Sequence, residues 1–271
     1  MPAQSYVERP PVAALRDVVR SVWVQRVGAE PYVQRNLPTG GVELHCVLGA
    51  VPRLVGPLTG PLVECLTPGT TVVGVRCRPG APLGLPASEL VDVEVGLDEL
   101  WGRQAVAVGE AMHEAPTPEA GLGALQAFLA RRHAEPDALM AEAVRRLMPW
   151  RAGEVGALSA DLSISVSQLR RRCLAAVGLG PKVLQRTLRF QGFLALVQAG
   201  GGQSGGLAGL AAAAGYADQA HLARECLRLT GLSPSTFVGD VAGRCACGHD
   251  HSASYRPYLA LSFKPGLGSR P

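Results

Sequence analysis

Short stretches of alternating hydrophobic and polar residues fill the first hundred positions of the chain and predict β-strands. The stretches are rich in β-branched residues and are bounded by proline or glycine. They cover residues 21–27, 41–48, 62–66, 71–77 and 90–95. Residues 10–20 have instead the spacing of a short amphipathic helix. Because no long helical stretch separates the predicted strands, the pattern favours an antiparallel sandwich or barrel over a parallel α/β sheet.

From residue 97 onward the hydrophobic period becomes helical. Leucines and one tryptophan recur three or four positions apart and predict helices at 97–114 and 120–133. These helices either pack on the β-rich part or form a contact between two copies of the chain. We therefore expect an α+β fold whose first domain, residues 1–136, is β-rich, with a helical extension at about 97–134.

The pattern that follows predicts helices alone. A helix at 137–148 precedes a helix-turn-helix at 153–178, a connecting helix at 182–198 and a second helix-turn-helix at 207–231. Taken singly, each pair could be an ordinary amphipathic hairpin. However, LAAVGLGPKVL (174–184) parallels LRLTGLSPSTF (227–237), which indicates an internal repeat of about 50 to 55 residues. The second predicted domain is thus all-α and spans residues 137–240, and a tail follows at 241–271.

The second helix of each pair has one apolar stripe and one polar face. The stripes contain Leu169 and Cys173 in the first pair and Leu222 and Cys226 in the second. Ser165 and Asp218 are predicted N-caps, and Gly178 and Gly231 end the two helices. The polar faces carry side chains that can reach phosphates or base edges in a DNA major groove: Ser167, Gln168, Arg170, Arg171 and Arg172, then Gln219, His221, Ala223 and Arg224.

The charge of the chain is divided unevenly between its parts. The formal net charge is only +4, but residues 1–137 hold 11 arginines and 15 acidic residues, whereas residues 138–240 hold 10 arginines, one lysine and six acidic residues. A basic second domain indicates a polyanionic partner there. We therefore predict double-stranded DNA as the partner of this domain.

Over residues 138–240 the sequence resembles the AraC/XylS family of bacterial transcription regulators. The matching runs are LSADLSISVSQLRRRCLAAVGLGPKVLQRTLR and LAAAAGYADQAHLARECLRLTGLSPSTF. The resemblance implies two recognition helices in successive major-groove segments, held apart by the connecting helix. It places base contacts at Ser167, Arg170 and Arg171, with Gln168 beside them, and at Gln219, His221, Ala223 and Arg224. It implies RNA polymerase as a further partner if the protein is an activator.

The first domain is also similar to an N-terminal domain found on some regulators of this family. The similarity lies in RNLPTGGVELHCVLG, VGPLTGP, VVGVRCRPG, GLPASELVD and LDELWG. We expect this domain to sense a small molecule or to form a homodimer, although the resemblance itself implies no particular ligand. Thr39 stands where that domain usually has an acidic residue, which argues against a ligand role for this turn.

Two alternatives to a simple DNA-binding regulator are a metal-dependent enzyme and a metal- or redox-responsive regulator. A cupin-like metal oxygenase needs two or three histidines and a carboxylate, but the β-rich segment has only His45. The chain also lacks GxSxG, P-loop and GxGxxG motifs, so we expect no enzyme, no catalytic residues and no cofactor. A metal- or redox-responsive regulator could use Cys245, Cys247, His249 and His251, whose alternation suits Zn, Cu(I) or Ni. Because CxxC spacing is missing and the tail contains Gly, Ser and Pro, a disordered tail is favoured over this metal site.

Cysteine usage and hydropathy indicate the cellular compartment in which the protein is expected. Seven cysteines, an odd number, are scattered along a chain of 271 residues, so reduced thiols are expected. No apolar run approaches the roughly 20 residues that a membrane helix needs. We expect a cytoplasmic protein with no membrane partner.

Overall fold

A computed structural model describes residues 4–85, 87–149, 153–199, 206–244, 255 and 257–258. Within these residues a β-rich N-terminal part is followed by a helical C-terminal part, which confirms the predicted α+β fold class. No helix in these ranges is both long enough and apolar enough to cross a membrane.

The strands of the described chain form two antiparallel sheets. The larger has the order β1-β2-β7-β4-β5-β8, and β3 pairs with β6 in the smaller. Their bounds are β1 Ser5–Arg9, β2 Val19–Arg26, β3 Tyr32–Asn36, β4 Glu43–Val47, β5 Arg53–Val55, β6 Leu62–Leu66, β7 Thr71–Cys77 and β8 Glu94–Gly96. The central pairing places Glu43 opposite Arg76 and His45 opposite Gly74. This register brings polar side chains of neighbouring strands together on one face.

Two sequence predictions in this part were wrong. Residues 10–20 contain only a 3₁₀ turn, Ala13–Leu15, because the β-branched Val19 already pairs with Cys77 in the sheet. Of residues 90–95, only the last two belong to a strand, β8, and a 3₁₀ turn at Ala87–Glu89 precedes them. In both places sheet pairing, which is not visible in local periodicity, decides the structure.

The helices after the strands cover the apolar face of the larger sheet. They are α1 (Leu97–Trp101), α2 (Arg103–His113) and α3 (Pro118–Ala130). Gly102, with φ 59°, breaks the predicted helix at 97–114 into two. Leu122, Leu125 and Leu129 of α3 share one buried core with Val73 and Val75 of β7. The apolar stripes of these helices are therefore used within the chain.

The helical part is organised around its longest helix. Its elements are α4 (Ala138–Arg146), α5 (Val155–Asp161), α6 (Val166–Val177), α7 (Pro181–Gln198), α8 (Gly206–Ala213), α9 (Gln219–Thr230) and α10 (Pro234–Arg244). Leu184 and Leu188 of α7 lie in a core shared with α4, α5 and α6. Phe190 and Phe193 of the same helix lie in a second core, with α8, α9 and α10. Thus α7 is the common support of both helix-turn-helix units.

The turn at residues 37–41 docks the N-terminal part on α7. Gln191 of α7 is 2% exposed, and its Nε2 donates to the Pro38 carbonyl at 2.8 Å. Arg20 of β2 donates from Nη1 to Gln191 Oε1 at 3.3 Å. Gly40, with φ +82°, lies so close to α7 that a Cβ at this position would be 2.9 Å from Leu184 Cδ1. The turn at residues 37–41 is therefore a docking contact between the two parts.

Each helix-turn-helix unit also touches the N-terminal part where its second helix ends. Gly178, after α6, packs so closely on the Ala87 carbonyl that a Cβ would be 2.4 Å from that oxygen. At the end of α9, Arg35 of β3 donates from Nη1 to the Thr230 carbonyl at 2.8 Å. The N-terminal part consequently contacts both units as well as the helix between them.

The predicted disorder of the tail is wrong at the positions that the structure describes. α10 continues to Arg244, and Tyr255, Pro257 and Tyr258 are helical. Tyr258 is only 2% exposed because its ring packs into the core around α7. The candidate metal ligands Cys245, Cys247, His249 and His251 lie outside the described residues.

Replacing Gly40 with alanine should weaken the docking of the 37–41 turn. The substitution strains a left-handed residue by about 1–2 kcal/mol and also forces a methyl group against Leu184. Gly69→Ala is the matched control, because Gly69 has φ +77° with nothing within 4 Å of the added Cβ. We expect a larger loss of unfolding free energy, measured by urea denaturation, for Gly40→Ala than for Gly69→Ala. Equal losses would show that the contact with α7 contributes nothing.

Candidate functional site

Local capping fixes where α6 begins. The backbone N–H of Gln168 donates to Ser165 Oγ at 3.1 Å, and the backbone N–H of Ser165 donates to the side-chain Oε1 of Gln168 at 2.9 Å. The two bonds form a reciprocal capping box. The helix ends at Gly178, whose φ is 80°. Leu169 and Cys173, on the inner face of α6, are fully buried. These contacts hold the opposite face of α6 toward solvent.

The exposed face of α6 contains all five of the side chains predicted there. Ser167, Gln168, Arg170, Arg171 and Arg172 are each exposed. Arg172 differs from its neighbours, because its Nη1 pairs with Asp137 Oδ2 at 3.1 Å. Asp137 also caps α4, so Arg172 lies at the edge of the face toward that helix. Gln168 is likewise engaged, through the capping box.

The second predicted recognition helix, α9, is built in the same way. Asp218 Oδ1 accepts from the His221 N–H at 2.6 Å, and Gly231, with φ 75°, ends the helix. Leu222 and Cys226 are fully buried. Gln219 and Arg224 are exposed, whereas His221 and Ala223 are partly buried.

Two further residues position α9, and the sequence analysis did not identify them. The Tyr216 ring, in the turn before α9, meets the His221 ring edge-on with centroids 5.2 Å apart. Glu225 Oε2 accepts from Arg186 Nε of α7 at 2.8 Å, and Glu225 is only 8% exposed. A charged residue on a predicted apolar stripe was the available signal for Glu225, since buried charges are normally paired.

The cysteines in the described part of the chain are unbridged, and most of them serve packing. Burial raises the pKa of the Cys173 thiol to about 12, that of Cys77 to about 12 and that of Cys46 to about 11. Thiols that resist deprotonation are poor nucleophiles and poor metal ligands. Cys65 alone among the described cysteines is exposed.

A second candidate site lies on the polar face of the larger sheet. Arg76 donates from Nε to Glu43 Oε1 at 2.8 Å and pairs through Nη1 with Glu8. The Tyr6 hydroxyl donates to Glu8 Oε1 at 2.6 Å, and His45 Nε2 lies 3.4 Å from Glu43 Oε2. Burial alone would raise the pKa of Glu43, but the Arg76 guanidinium and His45 outweigh it and hold that pKa at about 2.

Two buried polar atoms on this face make no hydrogen bond within the described part of the chain. They are Trp23 Nε1 and Gln25 Oε1, in residues that are 3% and 1% exposed. A ligand on this face could therefore accept from one and donate to the other. Thr39 lies elsewhere, in the turn on α7, where its hydroxyl donates to the Gly41 carbonyl at 3.4 Å. Among the described residues, no group of three or more His, Cys, Asp or Glu side chains is arranged to hold a metal ion.

Comparison with known families decides what the helical part is. Residues 158–239 match a family described as a helix-turn-helix domain, and this range contains both capped helices. The C-terminal part of this chain is an AraC-type helix-turn-helix domain. The resemblance found in the sequence is confirmed for this domain, whose kind indicates DNA binding and transcription regulation. Residues 7–96 match a family described as a domain of unknown function.

Comparison with individual proteins adds only distant likenesses. No curated protein matches the chain. The chain is similar to ToxT from Vibrio cholerae O395 at 12% identity and a TM-score of 0.43, over 80% of this chain and 95% of that one. The chain is also similar to ToxT from Vibrio cholerae O395 bound to (E)-4-(8-methylnaphthalen-1-yl)but-3-enoic acid, at 11% identity and a TM-score of 0.45, over 88% of this chain and 98% of that one. For wild-type ToxT from Vibrio cholerae strain SCE256 bound to an unsaturated fatty acid, the identity is 11% and the TM-score 0.40, over 87% of this chain and 94% of that one.

The lowered pKa of Glu43 predicts a specific loss of stability in acid. In the folded protein this pKa is about 2, below the ordinary 4.5, so the stabilisation is complete above pH 4.5 and is lost as the pH falls toward 2. At most it amounts to roughly 3 kcal/mol. Urea denaturation of Glu43→Gln between pH 5 and pH 3 should therefore show a weaker dependence on pH than the wild type.

The control for this experiment is Glu110→Gln, which removes an exposed carboxylate on α2 that makes no ion pair within the described chain. It should keep the wild-type dependence on pH. If Glu43→Gln also keeps that dependence, the pairing of Glu43 with Arg76 does not stabilise the fold in the way described.

Proposed function

We propose that α6 and α9 read base edges in two successive segments of the DNA major groove. In this proposal Arg170, Arg171 and Ser167 make the contacts of α6, and Gln219, His221 and Arg224 make those of α9. Gln168, Arg172 and Ala223 complete the two surfaces. The observation that carries the proposal is that both helices are capped, buried on one face and exposed on the predicted face, while both pack against the same helix α7.

The chemistry of the exposed faces supports this division of roles. Arginine recognises guanine O6 and N7 with two hydrogen bonds, and glutamine can recognise adenine. Helix N-termini and additional arginines favour phosphate oxygens and set the register of the protein on the duplex. The tyrosine under His221 limits the orientations of that imidazole, which lowers the entropy lost when it contacts a base.

We further propose that the N-terminal part binds a small effector on the polar face of its larger sheet. Trp23 and Gln25 offer a buried donor and a buried acceptor there, next to the paired charges of Glu8, Arg76 and Glu43. An effector with both an acceptor and a donor group fits this pair. Titration of candidate compounds against the Trp23 fluorescence, with Gln25→Leu as the variant that loses the acceptor, tests this assignment.

Removing one arginine from each recognition helix should abolish sequence discrimination. Each good bidentate contact contributes about 1–3 kcal/mol, so Arg171→Ala with Arg224→Ala should lose about 2–6 kcal/mol of discrimination and reduce the ratio of specific to nonspecific binding by roughly 30-fold to 20,000-fold. Fragments selected from the source genome by the wild-type protein supply the specific DNA. Binding is measured by fluorescence anisotropy at one fixed salt concentration, because nonspecific affinity depends steeply on salt.

The matched control removes the same charge far from the proposed surface. Arg103 and Arg131 are exposed on and just after the helices of the N-terminal part. Their double alanine variant should keep the wild-type ratio. Undiminished selectivity in Arg171→Ala with Arg224→Ala would refute the residue assignment.

A further inference from the structure

The described tyrosines of the C-terminal segment return to the junction between the two parts of the protein. Tyr255 and Tyr258 are three positions apart in a helical turn, so they lie on one side of it. Tyr258 is buried in the core that contains Leu184 and Leu188 of α7. Tyr255 packs against that core and also against the one around Phe190. The segment therefore contacts the supports of both recognition helices.

Tyr258 supplies a hydrogen-bond acceptor to a buried arginine. The Arg20 Nη1 donates to the Tyr258 hydroxyl at 2.8 Å, and the guanidinium lies 5.6 Å from the centre of the Tyr258 ring. Arg20 is 6% exposed, and its Nε has no hydrogen-bond partner in the described structure. Nor does any described carboxylate lie within ion-pair distance of it. Because this buried cation is held by the neutral oxygens of Tyr258 and Gln191, the loss of either acceptor is costly.

Tyr255 supports Tyr258 by packing. Its side chain is partly buried against the cores on both halves of α7, and burial raises the pKa of its hydroxyl to about 12.

We propose that Tyr258, supported by Tyr255, forms a latch that holds α7 against β2. With the latch closed, the Arg20–Gln191 contact is shielded and the helical part is fixed on the N-terminal part. With the latch open, the docking turn, the contact of Gly178 with Ala87 and the Arg35 hydrogen bond still join the two parts, but α7 separates from β2 more often. Release of Tyr258 in this way frees the helix that supports both recognition helices.

Hydrogen–deuterium exchange of the full chain tests the latch without DNA or effector. We compare the wild type with Tyr258→Ala, which removes the ring, and Tyr258→Phe, which removes only the hydroxyl. Exchange in peptides covering residues 184–195 should become at least tenfold faster in Tyr258→Ala and about threefold faster in Tyr258→Phe. Peptides of α3, which packs only within the N-terminal part, should be unchanged. Tyr32→Phe, which removes a hydroxyl on β3, is the control and should match the wild type.

The outcomes separate a latch from an ordinary core residue. Wild-type exchange at 184–195 in Tyr258→Ala would overturn the proposal. If Tyr258→Ala speeds exchange throughout the chain, α3 included, Tyr258→Phe decides the matter, because the phenylalanine ring can keep the packing. Faster exchange confined to the junction then supports the latch, and unchanged exchange there refutes the role of the Arg20 contact.

Discussion

The buried amide of Gln191 is the contact on which the arrangement of the two parts depends. Its NH₂ group donates to the Pro38 carbonyl and its oxygen accepts from Arg20, so both ends of a nearly inaccessible amide are satisfied by the N-terminal part. An unpaired amide at this depth would cost on the order of 1–3 kcal/mol. Separating the two parts would therefore lose both hydrogen bonds of the amide as well as expose apolar surface. Since the same helix supports both helix-turn-helix units, this one side chain ties the N-terminal part to the entire helical part.

The larger sheet has two chemically different faces because its strands alternate in the usual way. In β4, Leu44 and Cys46 point into the apolar core under α2 and α3, whereas Glu43 and His45 point to the polar side. The apolar face supplies most of the hydrophobic stabilisation of this part. The polar face, with its paired charges and two buried atoms lacking described partners, is stabilised by specific hydrogen bonds and is correspondingly sensitive to what binds there.

The bounds of the helices in the helical part could be predicted because they are set by local sequence signals. Features that are set by contacts distant in sequence could not be predicted. The bounds of α6 follow from local signals, namely Ser165 and Gln168 at its start and Gly178 at its end, and the prediction for this helix agrees with the structure at both ends. Strands β1, β3 and β5 were not predicted. Of these, β3 pairs only with a strand distant in sequence, Tyr32 with Leu66 and Asn36 with Leu62, whereas β1 and β5 also have a partner next to them in the chain. The burial of Tyr258 depends on Arg20, 238 positions earlier, so no local pattern could have distinguished it from a solvated tail. Glu225 was missed because its partner Arg186 lies 39 positions earlier, on α7. The partner of Tyr216, His221, is close in sequence, but the contact of the two rings exists only once the turn before α9 has folded.

The capping box of α6 has a consequence for the bases that the first recognition helix can prefer. A glutamine that pairs with adenine must accept and donate at once, through its oxygen and its nitrogen. The oxygen of Gln168 already accepts the Ser165 N–H, so the side chain offers DNA chiefly its NH₂ donor. Such a donor can reach any major-groove acceptor, whether guanine O6 and N7, adenine N7 or thymine O4, or a phosphate oxygen. In the proposed contact with DNA, the capping box thus takes from Gln168 the paired donor and acceptor that would select adenine, and it does so through the fold of a single turn.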